Sequence, residues 1–320
     1  MSAIVARGLR KRFGDVEAVR GVSLEVAEGE IFGLLGPNGA GKTTTIRMLT
    51  TLLRPDGGEV RIAGHDPARD PRAVRRVMGL ALQEAGLDDL ATGRELLALH
   101  GRLQGLPKAE SLRRAEELLG RFDLVEAADR RVGGYSGGMR RKLDLASALL
   151  HRPKVLFLDE PTVGLDPAAR SQLWTIVRRL NREDGTTIFL TTHYMEEAER
   201  LAMRLAVVDR GEIVAEGSPA SLKAQVASSV VTLAFDADEA LTARVAADLA
   251  KRPGVKRVLA TPEGLAIHLD QEAEDGDALR AAAERAGAKV SATTVADPTL
   301  DDLFITTTGR GLRDAGEAPA

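Results

Sequence analysis

The chain has 320 residues, 44% of them hydrophobic and 28% charged, with a formal net charge of −3. That length allows two domains with separate cores, and the composition is that of an ordinary globular protein. The near-neutral charge gives no electrostatic ground for a nucleic-acid partner, and the absence of cysteine excludes disulfides and thiolate metal sites.

The opening MSAIVARGLRKRFG lacks the long apolar run of a secretory leader. No stretch approaches the roughly 18 consecutive apolar residues of a membrane span. The chain is therefore expected to be soluble alone and to reach a membrane only through a partner. Residues 1–30 alternate short apolar segments with charged turns, which predicts antiparallel β structure. IFGLLG (Ile31 to Gly36) is a continuous apolar run, the pattern of a strand covered on both faces. A glycine-rich turn follows, then KTTTIRMLTTLL with helical spacing, then RPDGGEVRIAG as a turn and strand. Residues 84–150 are dominated by leucines at helical spacing.

KVLFLDEP predicts a second buried strand, and PAARSQLWTIVRRLNRE a helix with proline in its first turn. TTIFLTTH predicts a third buried strand, MEEAERLA a short helix, and RLAVVDRGEIVAEG a hairpin turning at Arg210-Gly211. Buried strands alternating with helices indicate an α/β fold with a parallel sheet. A boundary is expected near Gly217-Ser218-Pro219. Beyond it, the order β-α-β-β-α-β, with two strands about a Pro-Glu-Gly turn, predicts a small ferredoxin-like α+β domain. The segment 311–320 reads as a flexible tail.

Three strand ends carry candidate chemistry. Gly36, Pro37, Asn38, Gly39, Ala40, Gly41, Lys42, Thr43 and Thr44 fit G-x-x-x-x-G-K-[ST] between a strand and a helix. Glycines let backbone N–H groups curl around phosphate oxygens, and the helix N-terminus adds partial positive charge. Lys42 is then expected to reach the β- and γ-phosphates, and Thr43 to offer its hydroxyl to Mg²⁺. Asp159 and Glu160 close the second buried strand, where ligands of open α/β sheets bind. Asp159 would hold Mg²⁺ through water, and Glu160 would act on the attacking water as general base or by orienting it. His193 closes the third strand as a γ-phosphate contact, and Gln83 would contact Mg²⁺ or water. The basic run Arg140, Arg141, Lys142 reads as a solvated helix face.

Together these pieces resemble the nucleotide-binding subunit of an ABC transporter over residues 3–220. That resemblance implies an α/β P-loop NTPase of ABC type: a mixed sheet core in 1–220, with an antiparallel β subdomain and a helical subdomain at about 84–150. Residues 221–310 would be a small accessory α+β domain. It also implies ATP and Mg²⁺ as cofactors, a Q-loop at Gln83, and a signature at Ser136-Gly137-Gly138 within YSGGM. Catalytic roles for Glu160 and His193, adenine stacking on Phe13, and a D-loop GLDP containing Asp166 follow from the same likeness. In that family two copies close head to tail, and the signature of one covers the γ-phosphate held by the other. Where the family commonly has Leu and Gln around SGG, this chain has Tyr135 and Met139, and Met203 stands where relatives often carry Asp.

YSGGMRRKLDLA, TGRELL (Thr92 to Leu97) and the C-terminal DPTLDDLFITTTGR are similar to the drug-exporting branch typified by daunorubicin-resistance ATPases. This implies a homodimer on the cytoplasmic face of the membrane, joined to a separate permease and exporting a hydrophobic drug or natural product. A lipid or polysaccharide precursor, an import role, and a soluble non-transport ATPase are the alternatives. The spacing between Lys42 and Asp159 leaves no room for the long insertion usual in the soluble type.

Overall fold

The structure, a computed structural model, describes residues 1–84, 86–270 and 275–309, so the expected tail lies outside the described residues. Contacts divide the chain into two compact units, with the break between Ser218 and Pro219. The first unit opens with strands β1 (Ser2–Phe13), β2 (Val16–Ala27) and β3 (Ile31–Leu35), then helix α1 (Lys42–Leu49), β4 (Gly57–Ile62), α2 (Pro71–Val77) and β5 (Met78–Ala81). Three helices follow: α3 (Gly93–Leu103), α4 (Lys108–Arg121) and α5 (Gly137–Ala148). The unit closes with β6 (Val155–Asp159), α6 (Pro167–Asp184), β7 (Thr187–Thr192), α7 (Met195–Leu201), β8 (Arg204–Asp209) and β9 (Glu212–Gly217).

These strands form two sheets. An antiparallel sheet has the order β2-β1-β4, and a six-stranded sheet the order β5-β6-β7-β3-β8-β9. In the larger sheet every pair is parallel except β8–β9. That hairpin turns where both Arg210 (φ 46°) and Gly211 (φ 82°) are left-handed, the backbone of a tight two-residue turn. The continuous apolar runs follow from burial on both faces. Phe32, Leu34, Val155, Phe157 and Phe189 pack with Ile46, Met48 and Leu49 of α1 and with the antiparallel sheet. Their alternates Ile31, Leu156, Leu158, Ile188 and Leu190 pack with α6 and the helices of 93–148. Phe189 sits between Phe32 and Phe157, with ring centroids 5.6 and 5.7 Å away.

Register aligns the strand ends. Leu35 pairs with Thr192, Asp159 with Thr191, and Ala81 with Leu158. One or two residues further on, Gly36, Gln83, Glu160 and His193 leave the sheet along one edge, the edge at which ligands of such sheets bind.

The second unit contains α8 (Pro219–Val226), β10 (Ser229–Phe235), α9 (Glu239–Leu249), β11 (Val255–Thr261), β12 (Gly264–Leu269), α10 (Gly276–Arg285), β13 (Val290–Ala296) and α11 (Leu300–Thr308). Its sheet has the order β11-β12-β10-β13, antiparallel throughout. Counted along the β-α-β-β-α-β run this is 2-3-1-4, a ferredoxin-like arrangement. One sheet face packs on α9 and α10 through Val231, Leu233, Leu265 and Ile267.

Several expectations are corrected. The helix after the glycine-rich loop ends at Leu49 instead of running to Leu53, and Thr51 turns out of it at φ 67°. Helices α2, α8 and α11 escape the apolar-period reading. Helix α2 buries only Val74, and α8 only Leu222 and Val226. The basic run is not a solvated face either, because Arg141 is 6% exposed.

Candidate active site at the sheet edge

The loop from Gly36 to Thr44 is shaped by its neighbours. Gly41 has φ 98°, and a Cβ there would lie 2.5 Å from the Ala18 carbonyl oxygen. At Gly36 a Cβ would lie 2.3 Å from the Val208 carbonyl oxygen. Side chains at either position would push the loop off the sheet edge. The first N–H groups of α1 have no partner within the helix, and they face an anion-ready opening. Lys42 closes the loop from inside, donating to the carbonyls of Gly36 (2.8 Å) and Pro37 (2.9 Å).

Lys42 is 4% exposed and its ammonium lies 3.1 Å from the Glu160 carboxylate. Burial pushes the Lys42 pKa down, and Glu160 and Asp159 partly oppose this. For Glu160, burial works upward, but the hydrogen bond from His193 and the Lys42 charge outweigh it and hold the carboxylate below its ordinary range. His193 Nδ1 lies 3.1 Å from Glu160 Oε2, and its ring packs at 4.2 Å on Tyr194. Glu160 itself is left-handed, with φ 45°. A non-glycine residue in that region persists only where its surroundings impose it, and such residues cluster at functional sites.

Thr43 donates its hydroxyl to Asp159 Oδ1 at 3.2 Å, and Thr191 donates to the same oxygen at 2.6 Å. The Glu160 N–H is shared between the Thr191 carbonyl and hydroxyl oxygens, both at 3.1 Å. Thr191 therefore holds both acids. Sequence reading passed over it as one of several threonines in TTIFLTTH, and only the β6–β7 register singles it out.

A cleft of about 630 Å³ is lined by Phe13, Asn38, Gly39, Gly41, Lys42, Thr43, Thr44, Gln83, Glu160 and His193, with Ala18 and Val163. Phe13 is half exposed at its mouth. Asp159 lies beneath, 1% exposed. Gly36, Pro37 and Ala40 form the back of the loop and do not line the cleft. Ser136, Gly137, Gly138 and Asp166 do not line it either. Ser136 caps α5, its hydroxyl accepting from the Met139 N–H at 3.3 Å, and it is exposed together with Gly137. Asp166 caps α6, accepting from the Ala169 N–H at 2.9 Å.

Tyr135 belongs to the core. Its hydroxyl donates to the Ala127 carbonyl at 2.7 Å, and a Cβ at Gly93 would lie 2.3 Å from the Tyr135 hydroxyl oxygen. Met139 packs against the same cluster. The TGRELL and DPTLDDLF stretches begin helices. Thr92 with Glu95, and Thr299 with Asp302, each form a reciprocal capping box.

A family model described as "ABC transporter" matches residues 19–163. A second, described as "ATP-binding protein DrrA1-3-like, C-terminal domain", matches residues 217–308. The daunorubicin/doxorubicin resistance ATP-binding protein DrrA of Streptomyces peucetius is 42% identical over 98% of this chain and 94% of that protein. The chain belongs to the ATP-binding subunits of ABC transporters. It is an ABC-type ATPase. The Nod factor export ATP-binding protein I of Rhizobium sp. (strain N33) is 40% identical over 97% of this chain and 98% of that protein. Among solved structures, the dimeric post-hydrolysis ATP-binding cassette MJ0796, bound to ADP and Pi, matches with TM-score 0.61. It is 27% identical and covers 67% of this chain and 98% of that one.

Proposed function

We propose that this ABC ATPase is the energy-coupling subunit of an exporter, working as a homodimer on a separate membrane permease. The observation that carries the proposal is the cleft that gathers Lys42, Thr43, Gln83, Glu160 and His193 at one sheet edge, while Ser136 and Gly137 stand exposed outside it. A signature that does not line its own chain's cleft is suited to closing the cleft of a second copy, with Gly138 following and Asp166 beside the seam. Residues 36–44 would cradle the β- and γ-phosphates, with Lys42 leaving the Gly36 and Pro37 carbonyls to do so. Phe13 would stack on adenine. Glu160, kept ionised by His193 and Lys42, would take the proton of the attacking water, with Gln83 and His193 positioning that water and the γ-phosphate.

The Thr43 hydroxyl and the Asp159 carboxylate are hard oxygen donors set 3.2 Å apart, a pair that fits Mg²⁺. Among the described residues no cluster of three or more acidic or imidazole ligands forms, so the ion would complete its shell with Gln83, water and nucleotide phosphates. When bound, Mg²⁺ would neutralise charge on the phosphate oxygens.

The likeness to ATP-binding subunits of membrane transporters supports a separate permease and a place at the cytoplasmic membrane face; no helix among the described residues is long and apolar enough to cross a membrane. The resistance relative favours a hydrophobic drug or natural product as cargo, and the Nod factor export relative keeps a cargo other than a drug, a lipid or polysaccharide precursor, as a second reading. The test is transport in vesicles holding the permease. ATP-dependent export that Glu160→Gln abolishes is expected, and unchanged export by that variant would overturn the reading.

A further inference from the structure

Arg141 lies in the second turn of α5, past the signature, and is almost wholly buried. Four of the five N–H groups of its planar head are engaged. Nε donates to the Pro161 carbonyl at 2.8 Å, and Nη2 to the Asp159 carbonyl at 3.1 Å. Nη1 donates to the Leu82 carbonyl and, at 2.9 Å, to Asp144 Oδ2. The first two acceptors are the carbonyls on either side of Glu160, and the third is the carbonyl before Gln83. Three carbonyls on two backbone segments thus share one guanidinium, and the partly buried Asp144 balances its charge.

The geometry has a mechanical consequence. Glu160 holds a left-handed backbone that its own residue type disfavours. Fixing the Asp159 carbonyl, in the peptide unit that enters Glu160, and the Pro161 carbonyl, one unit beyond the one that leaves it, restricts how the backbone between them can relax. A displacement of the Gln83 segment pulls on the same guanidinium, and so does a shift of α5, whose N-cap is Ser136. We propose that Arg141 is a positioning residue for ATP hydrolysis, a clamp through which the Gln83 segment and the signature helix set the backbone of Glu160. The proposal rests on the assignment of Glu160 to the attacking water.

Lysine separates this role from simple folding. It keeps a positive charge for Asp144, but one ammonium cannot reach three carbonyls that a planar fork spans. The experiment measures kcat, KM, MgATP affinity and Tm on the full chain for R141K, R141M, E160Q and E160Q/R141K. R141K is expected to fold with near-native Tm and to bind MgATP within about threefold of wild type. Its kcat should fall about tenfold or more, the size of effect that slight misplacement of a reacting group produces. R141M should lose at least as much. If R141M does not fold, R141K carries the test.

Because Arg141 acts through Glu160, E160Q/R141K should be no slower than E160Q alone. Hydrolysis by R141K within twofold of wild type would overturn the clamp, as would a loss of binding equal to the loss of kcat. Wild-type hydrolysis by E160Q would instead overturn the assignment of Glu160.

Discussion

Thr191→Val tests how the two acids are held. Valine replaces the hydroxyl by a methyl of similar size, so the fully buried site stays filled. The substitution deletes the 2.6 Å bond to Asp159 Oδ1 and one of the two acceptors of the Glu160 N–H. The Glu160 N–H keeps the Thr191 carbonyl at 3.1 Å, so that half of the loss is small. The bond to Asp159 is the larger part, because a hydrogen bond to a charged group contributes about 1.5–3 kcal/mol. If that energy orients Asp159 for its role, kcat/KM falls roughly ten- to hundredfold, since about 1.4 kcal/mol is one factor of ten. The loss should shrink as Mg²⁺ is raised, because a poorly held Asp159 weakens its hold on the ion before anything else. The assay is steady-state ATP hydrolysis across a Mg²⁺ series, with Tm measured alongside. Wild-type kcat/KM at limiting Mg²⁺ in a folded variant would refute the argument.

Other expectations follow from contacts outside the reacting atoms. Tyr135→Phe removes one buried bond, but the Ala127 carbonyl still accepts from the Arg130 N–H, so the cost is about 1 kcal/mol and roughly 2–4 °C in Tm. ATP hydrolysis per folded molecule should not change; a tenfold loss of kcat would place Tyr135 in the chemistry. Phe13→Ala should raise KM for ATP several-fold with little effect on kcat, and an unchanged KM would remove Phe13 from the adenine site.

In the second unit, burial works to raise the Asp302 pKa, but His268 and Thr299 outweigh it and hold the carboxyl at about 2 instead of 3.8. A depressed carboxylate stabilises above 3.8, and that contribution is lost as pH falls toward about 2. Asp302→Asn should therefore destabilise this unit at neutral pH, by at most about 2 kcal/mol, and converge with wild type near pH 2. Acid unfolding curves that run parallel down to pH 2 would contradict this.

Much of the site was legible because its residues end apolar runs. Gly36, Asp159, Glu160 and His193 each follow a stretch that only a doubly covered strand explains, and parallel strands of one sheet end on one edge. Arg141 and Thr191 were hidden for the opposite reason. A basic run after a glycine pair has the composition of a solvated face, and only the packing of α5 against β5 turns one arginine inward. Thr191 matters through a register that no local pattern encodes. Helix α2 escaped because it buries only Val74, and α8 because it buries only Leu222 and Val226 in an eight-residue run, too few to print a period. A better signal for α11 was present: Thr299 and Asp302 stand at capping-box spacing before an apolar pair.

The central claim is that hydrolysis occurs in a cleft completed by a second copy. The direct measurement is the mass of full-length E160Q in solution with and without MgATP, together with bound nucleotide per chain. The account predicts a nucleotide-dependent dimer holding two unhydrolysed ATP molecules, and its loss when Ser136 is replaced by a bulky residue. A monomer that binds ATP without associating, or a variant that hydrolyses at the wild-type rate, would contradict it.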